Sequence, residues 1–218
     1  MKKVLLAVTM SISALASLTN TASLTSDYVW RGQTQTSHNA AVQGSFDYEH
    51  SSGIYGGLWL SNTSGNGSES NISLGYKKIF GELSVSLGGL MYHYIQNGSA
   101  DTMEYNFGLG HSGYDFSVNY VDDHFGSDVS SYYLSLSKSF YFTSKDFGLN
   151  LALGYTSYDD EAKKGEKNHI DYKVGLVKKY KYNDVEVWYT DTNRKTLSSS
   201  AETEQEDKVL GVSIHVNL

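Results

Sequence analysis

Asp122-Asp123-His124 sets two carboxylates beside an imidazole in a polar stretch between two strand-like segments, and Asp159, Asp160 and Asp191 fall at the same end of their own segments. Carboxylates and a histidine within reach of one another can activate water, the chemistry of a hydrolase, so this cluster carries the enzymatic reading of the chain. Acidic loops are more often solvated or bound to divalent ions, however, and no serine stands in a lipase-like context. His93, His169 and His215 lie on separate segments without metal-ligand spacing, and the chain has no cysteine for a thiolate site or nucleophile. The glycines form no phosphate-cradling motif; they mark turns, as in Gly65 to Gly67, or sit inside strand-like runs, as in Gly56-Gly57 and Gly88-Gly89. The residues predict no enzyme, no metal and no cofactor.

A second set of charges is arranged differently. Asp27, Arg31, Asp47, Glu49, Lys77, Glu82, Glu104, Asp115, Asp171, Lys173, Asp184 and Glu186 alternate with apolar neighbours, so each stands on the polar face of a strand, with Tyr55, Trp59, Tyr92, Tyr94 and Trp188 on the same face. If that face encloses water, solvent and opposite charges lower the cost of burying these groups, and acids outnumber bases nine to three. The expectation is a narrow hydrated passage for small hydrophilic solutes or ions, mildly cation-preferring and lined by Asp27, Arg31, Asp47, Glu49, Trp59, Lys77, Glu104, Asp115, Asp171, Lys173 and Glu186. The competing expectation is that the charges pair across the interior and plug it, leaving a structural or adhesion barrel.

The elements that must position these residues are strands. The 218 residues include 18 Tyr and 21 Gly with no Pro, and no helical period persists over a helix-length window. Period-two alternation marks twelve segments: about 20–32, 40–49, 54–62, 69–78, 82–95, 102–111, 114–122, 129–142, 146–158, 168–178, 183–192 and 207–218. Short turns, such as His50 to Gly53 and Phe142 to Asp146, alternate with longer polar loops, such as Asn62 to Glu69 and Asp159 to Asn168. That asymmetry is typical of outer-membrane barrels. Apolar-face aromatics fall at strand ends: Tyr48, Tyr76, Tyr114, Phe140, Phe142 and Phe147 at the turn end, and Tyr28, Trp30, Tyr105, Tyr120, Tyr132, Tyr155 and Tyr189 at the loop end. Two aromatic girdles around an aliphatic middle predict a transmembrane antiparallel up-and-down β-barrel, with Tyr28 and Trp30 as lipid-interface anchors. A soluble sandwich would put its aromatics in mid-strand, filling a core.

Lys2 and Lys3, the apolar run Val4 to Leu15 and the small residues around Ala14-Leu15-Ala16 read as an export signal cleaved after Ala16, leaving 17–218 as the barrel domain. Cleavage leaves 15 basic residues against 24 acidic ones, a charge of about −9, which disfavours nucleic acid as a partner. The expected surroundings are the bacterial outer membrane, its lipid and its lipopolysaccharide, which the basic Lys163-Lys164-Gly165-Glu166-Lys167 stretch could touch. The sequence does not set an oligomeric state.

LTSDYVWRGQTQT (Leu24 to Thr36), followed by AVQGSFDYEHSSGIYGGLWLSN (Ala41 to Asn62), resembles the N-terminal signature of the TorF family of small proteobacterial outer-membrane porins. The resemblance implies an exported, channel-like barrel. It departs in one place: the family usually carries a proline before the second strand, where this chain has Asn39-Ala40, which implies a softer loop rather than another fold. Leu218 also stands where many such barrels end in an aromatic residue.

Overall fold

Alternation over ten or so residues favours strands, and strands joined by tight turns pair with their chain neighbours. A computed structural model describes residues 16–65, 67–142, 146–198, 201–205 and 207–218. The strands in chain order are β1 (Ala16–Thr25), β2 (Val29–Trp30), β3 (Gln33–Thr34), β4 (Ala41–His50), β5 (Ile54–Asn62), β6 (Ser68–Phe80), β7 (Leu83–Tyr94), β8 (Thr102–His111), β9 (Tyr114–Val121), β10 (Ser131–Tyr141), β11 (Phe147–Tyr158), β12 (His169–Lys179), β13 (Asn183–Thr192), β14 (Lys195–Ser198), β15 (Ala201–Glu204) and β16 (Val209–Asn217). Twelve of them form one closed antiparallel barrel, in which β1 pairs with β4 on one side and with β16 on the other. Closure leaves the barrel no unpaired lateral edge. The two remaining pairs, β2 with β3 and β14 with β15, are small separate hairpins.

The two faces differ as the alternation requires. Leu24, Val42, Leu74, Leu87 and Leu210 point outward and are exposed, Leu74 by 67% and Leu210 by 76%. Thr25, Asn71, Glu104, Glu186 and Ser213 are buried in the interior. An apolar surface continuous around a closed barrel, with polar groups inside, is stable only when acyl chains solvate the outside. Tyr76, Tyr114, Phe140, Phe142 and Phe147 are exposed at the turn end, and Tyr105, Tyr132 and Tyr155 at the loop end, so the girdles stand where expected. No described helix is long and apolar enough to cross a membrane; the crossing elements are strands. The fold is therefore the expected twelve-stranded transmembrane barrel.

The first strand corrects the sequence reading. It ends at Thr25 rather than near residue 32, and the chain then turns into the barrel instead of continuing along its wall. Tyr28 and Trp30 are accordingly not lipid-interface anchors: Tyr28 stacks edge-on against inward Trp59 at 5.3 Å, and Trp30 packs against Tyr92 at 6.0 Å. The cause is a polar network that outcompetes the strand ladder. Buried Asp27 accepts from the hydroxyls of Thr34 at 2.7 Å and Thr36 at 2.8 Å, and its second oxygen meets His38 Nδ1 at 3.0 Å. Short side chains that bond their own neighbourhood favour turns over extended chain.

The proposed signal segment lies outside the described residues apart from Ala16, as do the central residues of the turn from Phe142 to Asp146.

Candidate functional site in the barrel interior

The interior is organised by the hairpin of β2 and β3. Its two turn residues, Arg31 and Gly32, have φ of 48° and 74°, the left-handed pair that a two-residue hairpin turn of matching twist requires. Gly32 also satisfies space, since a Cβ there would lie 2.7 Å from the Cβ of Asp171 and 2.9 Å from that of Thr192 on the β12 and β13 wall. From the same tip Arg31 reaches β8, where its guanidinium donates to Glu104 at 2.5 Å, with both side chains almost fully buried. The guanidinium lies 4.2 Å from the Trp30 ring centroid and 4.1 Å from that of Tyr133. The hairpin thus touches walls formed by β8, β10, β12 and β13.

Three cavities are stacked along the barrel. At the turn end, about 610 Å³ is bordered by Asp47, Glu49, Tyr55, Lys77, Asp115 and a set of serines from neighbouring strands. In the middle, about 330 Å³ is bordered by Asp27, Tyr28, Arg31, Trp59, Tyr133, Asp171, Lys173, Glu186 and Trp188. At the loop end, about 130 Å³ lies between Trp30, Gln33, Gln35, Tyr94, His124, Phe125, Lys164 and Glu166. Inward Gln43 borders the middle cavity and Asp47, four residues along β4, the turn-end one. Those two positions are roughly 13 Å apart along the strand. Trp30 and Arg31 mark the divide between the middle and loop-end spaces.

The structure brings ten of the eleven sequence-predicted residues to these cavities, and Glu104 joins them through Arg31. Most of the charged groups have partners. Lys173 donates to Glu186 Oε2 at 2.7 Å, and Asn150 donates to Glu186 Oε1 at 3.0 Å. Ser45 donates to Asp47 at 2.6 Å. Tyr133 donates to Asp171 Oδ1 at 3.3 Å, whereas Asp171 Oδ2 is buried without a hydrogen-bond partner.

Above the hairpin, an aromatic cluster fills the loop end. Phe125 packs on Trp30 at 5.4 Å, Tyr92 at 5.5 Å and Tyr94 at 6.0 Å, and His124 packs on Tyr158 at 5.2 Å. This arrangement separates the members of the acid-and-histidine cluster. His124 is turned inward, 4% exposed, and its Nδ1 bonds Ser131 at 2.7 Å instead of a carboxylate. Asp123 accepts from the backbone amide of Asp128 at 2.7 Å, and Asp122 accepts from Tyr120 at 3.1 Å. Burial, assisted by the charges of Lys164, Arg31 and His169, pushes the His124 imidazole down to about 3, so at neutral pH it is uncharged. Asp160 caps the short helix Glu161–Lys164 through the amide of Lys163 at 2.9 Å, and Asp191 accepts weakly from Tyr172 and Tyr189. Among the described residues no group of three His, Asp or Glu side chains is placed to hold a metal ion.

Histidines read as isolated wall residues divide in the same way. His93 bonds Asp101 at 2.6 Å at the exposed loop end, His169 is buried at 1% exposure, and His215 bonds Ser23 at 3.0 Å. Sequence reasoning missed Tyr133, which alternation with outward Tyr132 could have found, and Glu69, 1% exposed and facing Tyr28 and Asn71 at the inner mouth of a loop.

Solved structures share this architecture. The KdgM porin superposes with a TM-score of 0.57 at 11% identity, covering 93% of this chain and 99% of its own. Omp33 of Acinetobacter baumannii gives 0.55 at 11% identity over 94% and 100%. The NanC porin gives 0.54 at 13% identity over 92% and 98%. At such identities the likeness is one of fold: this chain is built like outer-membrane porins. Among proteins of curated function none matches the sequence. Residues 11–215 match the family described as bacterial protein of unknown function, Gcw_chp, which covers nearly the whole barrel, and the chain belongs to that family.

Proposed function

We propose that the chain is an outer-membrane channel for passive diffusion of small hydrophilic solutes or ions, with a mild preference for cations. The observation that carries this reading is the lining of the two larger cavities: Asp27, Asp47, Glu49, Asp115, Asp171 and Glu186 stand against Arg31, Lys77 and Lys173. A surplus of carboxylates around water attracts cations and repels anions, and it requires no chemical step. The resemblance to TorF family porins and the porin fold support the same reading. The KdgM porin has a solved structure in complex with disordered oligogalacturonate, a polyanion; the carboxylate surplus here argues for other cargo. The eleven residues Asp27, Arg31, Asp47, Glu49, Trp59, Lys77, Glu104, Asp115, Asp171, Lys173 and Glu186 are the proposed lining, and 17–218 is the proposed mature domain. At the loop end, the basic stretch from Lys163 to Lys167 is the proposed contact with lipopolysaccharide phosphates.

Conductance of the refolded protein in a planar bilayer, with reversal potential under a potassium chloride gradient, tests the reading. Potassium preference that falls toward zero in the triple variant D47N/E49Q/D115N is the expected result; chloride preference overturns it. A specific observation favours one rival, a plugged structural barrel: the inward hairpin and the aromatic cluster occupy the loop half of the interior. Absence of conductance in correctly folded protein would establish that rival.

A further inference from the structure

The outer surface of the barrel is apolar all round, but its charge is not evenly placed. Among the described residues, the charged side chains that alternate outward at the turn ends of the barrel strands are all lysine: Lys78 on β6, Lys138 on β10 and Lys178 on β12. Lys179 closes β12 and Lys181 stands in the turn that follows it, so four lysines share the sector of wall built by the consecutive neighbours β10, β11, β12 and β13. The acids of this sector turn the other way. Asp115 and Glu186 border the interior cavities, and Asp184 alternates with outward Val185. Outside, the described acid is Asp146, 3.6 Å from Lys178.

Each of the four ammonium groups lies against an exposed ring: Lys138 is 3.8 Å from the Tyr114 centroid, Lys178 4.0 Å from that of Phe147, Lys179 4.1 Å from that of Tyr141 and Lys181 4.8 Å from that of Tyr182. Rings at a strand end mark the boundary between acyl chains and headgroups, and a lysine stem laid along such a ring carries its charge to phosphate depth. Lys138 donates to the carbonyl of Ser112, and among the described residues neither it nor Lys179 nor Lys181 has an acidic partner. Donors to spare therefore face the headgroup layer. Toward the membrane centre the same strands expose Leu136, Leu151 and Leu176. Positive charge on a ring belt beside an aliphatic wall complements a molecule with an anionic head and apolar tails; a free anion would use the lysines and leave the wall unused.

We propose that the turn-end face of β10 to β13 is a binding surface for anionic phospholipid, whose headgroup phosphate accepts from Lys138, Lys178, Lys179 and Lys181 while its acyl chains lie along the leucines. The surface selects lipid in the leaflet on the turn side, whether or not the barrel conducts.

The refolded protein in phosphatidylcholine vesicles at low ionic strength, probed with spin-labelled phosphatidylglycerol and spin-labelled phosphatidylcholine of matched chains, tests the surface through the fraction of each probe that the protein immobilises. One lysine beside an anionic headgroup is worth about fivefold, so phosphatidylglycerol should be preferred by at least about fivefold. The preference should fall to within about twofold of parity in K138Q/K179Q/K181Q, persist in K138R/K179R/K181R, and be unchanged in K208Q, which removes an exposed lysine at the loop end. Heat-modifiable gel mobility verifies that each variant is a folded barrel. If the triple glutamine variant is not, K138Q and K181Q singly, each expected to lower the preference about twofold or more, carry the test. Parity in the wild type, a preference that survives the glutamine substitutions, or equal loss in K208Q overturns the surface. Inorganic phosphate, at ionic strength matched with chloride, should not displace the lipid; displacement would make the ligand a free anion and overturn the lipid reading.

Discussion

Replacing Arg31 by Met should loosen the interior hairpin without opening the barrel wall. The substitution removes the 2.5 Å ion pair to Glu104 and the two ring contacts at 4.2 and 4.1 Å, leaving a carboxylate whose side chain is 3% exposed without its cation. Breaking a buried pair from one side costs about 3–5 kcal/mol. Water in the adjacent cavity tempers this, and the flexible Met relieves little of the left-handed strain at φ 48°, so about 2–4 kcal/mol is the working range. At 1.4 kcal/mol per decade that is about a 30- to 700-fold rise in hairpin opening. Amide hydrogen exchange reads it directly at Gln35, whose N–H donates to the carbonyl of Tyr28 at 2.6 Å and closes the hairpin base. The double variant R31M/E104Q removes the stranded charge as well and should recover at least half of the lost protection on a logarithmic scale. Exchange at Gln35 changing less than about threefold in R31M, or the double variant faring no better than the single, would refute the view that this pair holds the hairpin.

Three further outcomes follow from the same geometry. His124 is held neutral by burial, with its protonation moved from 6.5 to about 3, so its contribution to the loop-end packing is complete above pH 6.5 and is lost as pH falls toward 3. Hydrogen exchange across 122–130 should rise over that window in the wild type and be flatter in H124N; parallel profiles would assign the acid sensitivity to other groups. Leu74→Arg on the outward face should cost about 2–4 kcal/mol in folding into lipid vesicles, and Ser73→Arg, one position along and inward, distinctly less. Equal costs would mean that the faces have been misassigned. N-terminal sequencing of exported protein should begin at Ser17, because β1 pairs with β4 from Ala16 onward and cleavage after Ala22 would delete most of that strand.

The wall was legible because a strand buried on one face repeats every two residues, and that period survives without any tertiary information. Strands such as β5, β8 and β13 have the ends expected of them. Tyr28 and Trp30 were misread for the same reason. In Leu24 to Trp30 the alternation continues locally, so period alone cannot tell a strand from a segment that turns inward. The signal present in the sequence was chemical: Thr25, Asp27, Thr34 and Thr36 surround Gly32 with short hydroxyl and carboxylate groups, the composition of a self-bonded loop. Alternation along the wall strands points charges such as Asp47, Asp171 and Glu186 inward, whereas Asp27 and Arg31 reach the interior from the hairpin segment, and no pairing is legible from alternation. Arg31 and Glu104 are 73 residues apart, and only barrel closure determines that they meet. His124 shows the converse limit, since adjacency to Asp123 in sequence suggested a shared site, while the left-handed Phe125 and the aromatic cluster direct the imidazole away from its neighbour.

The hairpin that occupies the interior arises directly after the first strand and is tied to the barrel wall by Arg31 and Glu104 and to the rim by Gln35, whose carbonyl accepts from the Ser64 amide at 2.8 Å, and by Trp30, which packs on Phe125. Segments that cover the rim, including the capped helical turn at Glu161–Lys164 and the β14–β15 pair, are encoded far downstream. Rim and interior are nevertheless coupled, because Phe125, Lys164 and Glu166 of the rim share a cavity with Trp30, Gln33 and Gln35 of the hairpin: a drifting rim loop reshapes the packing beneath it.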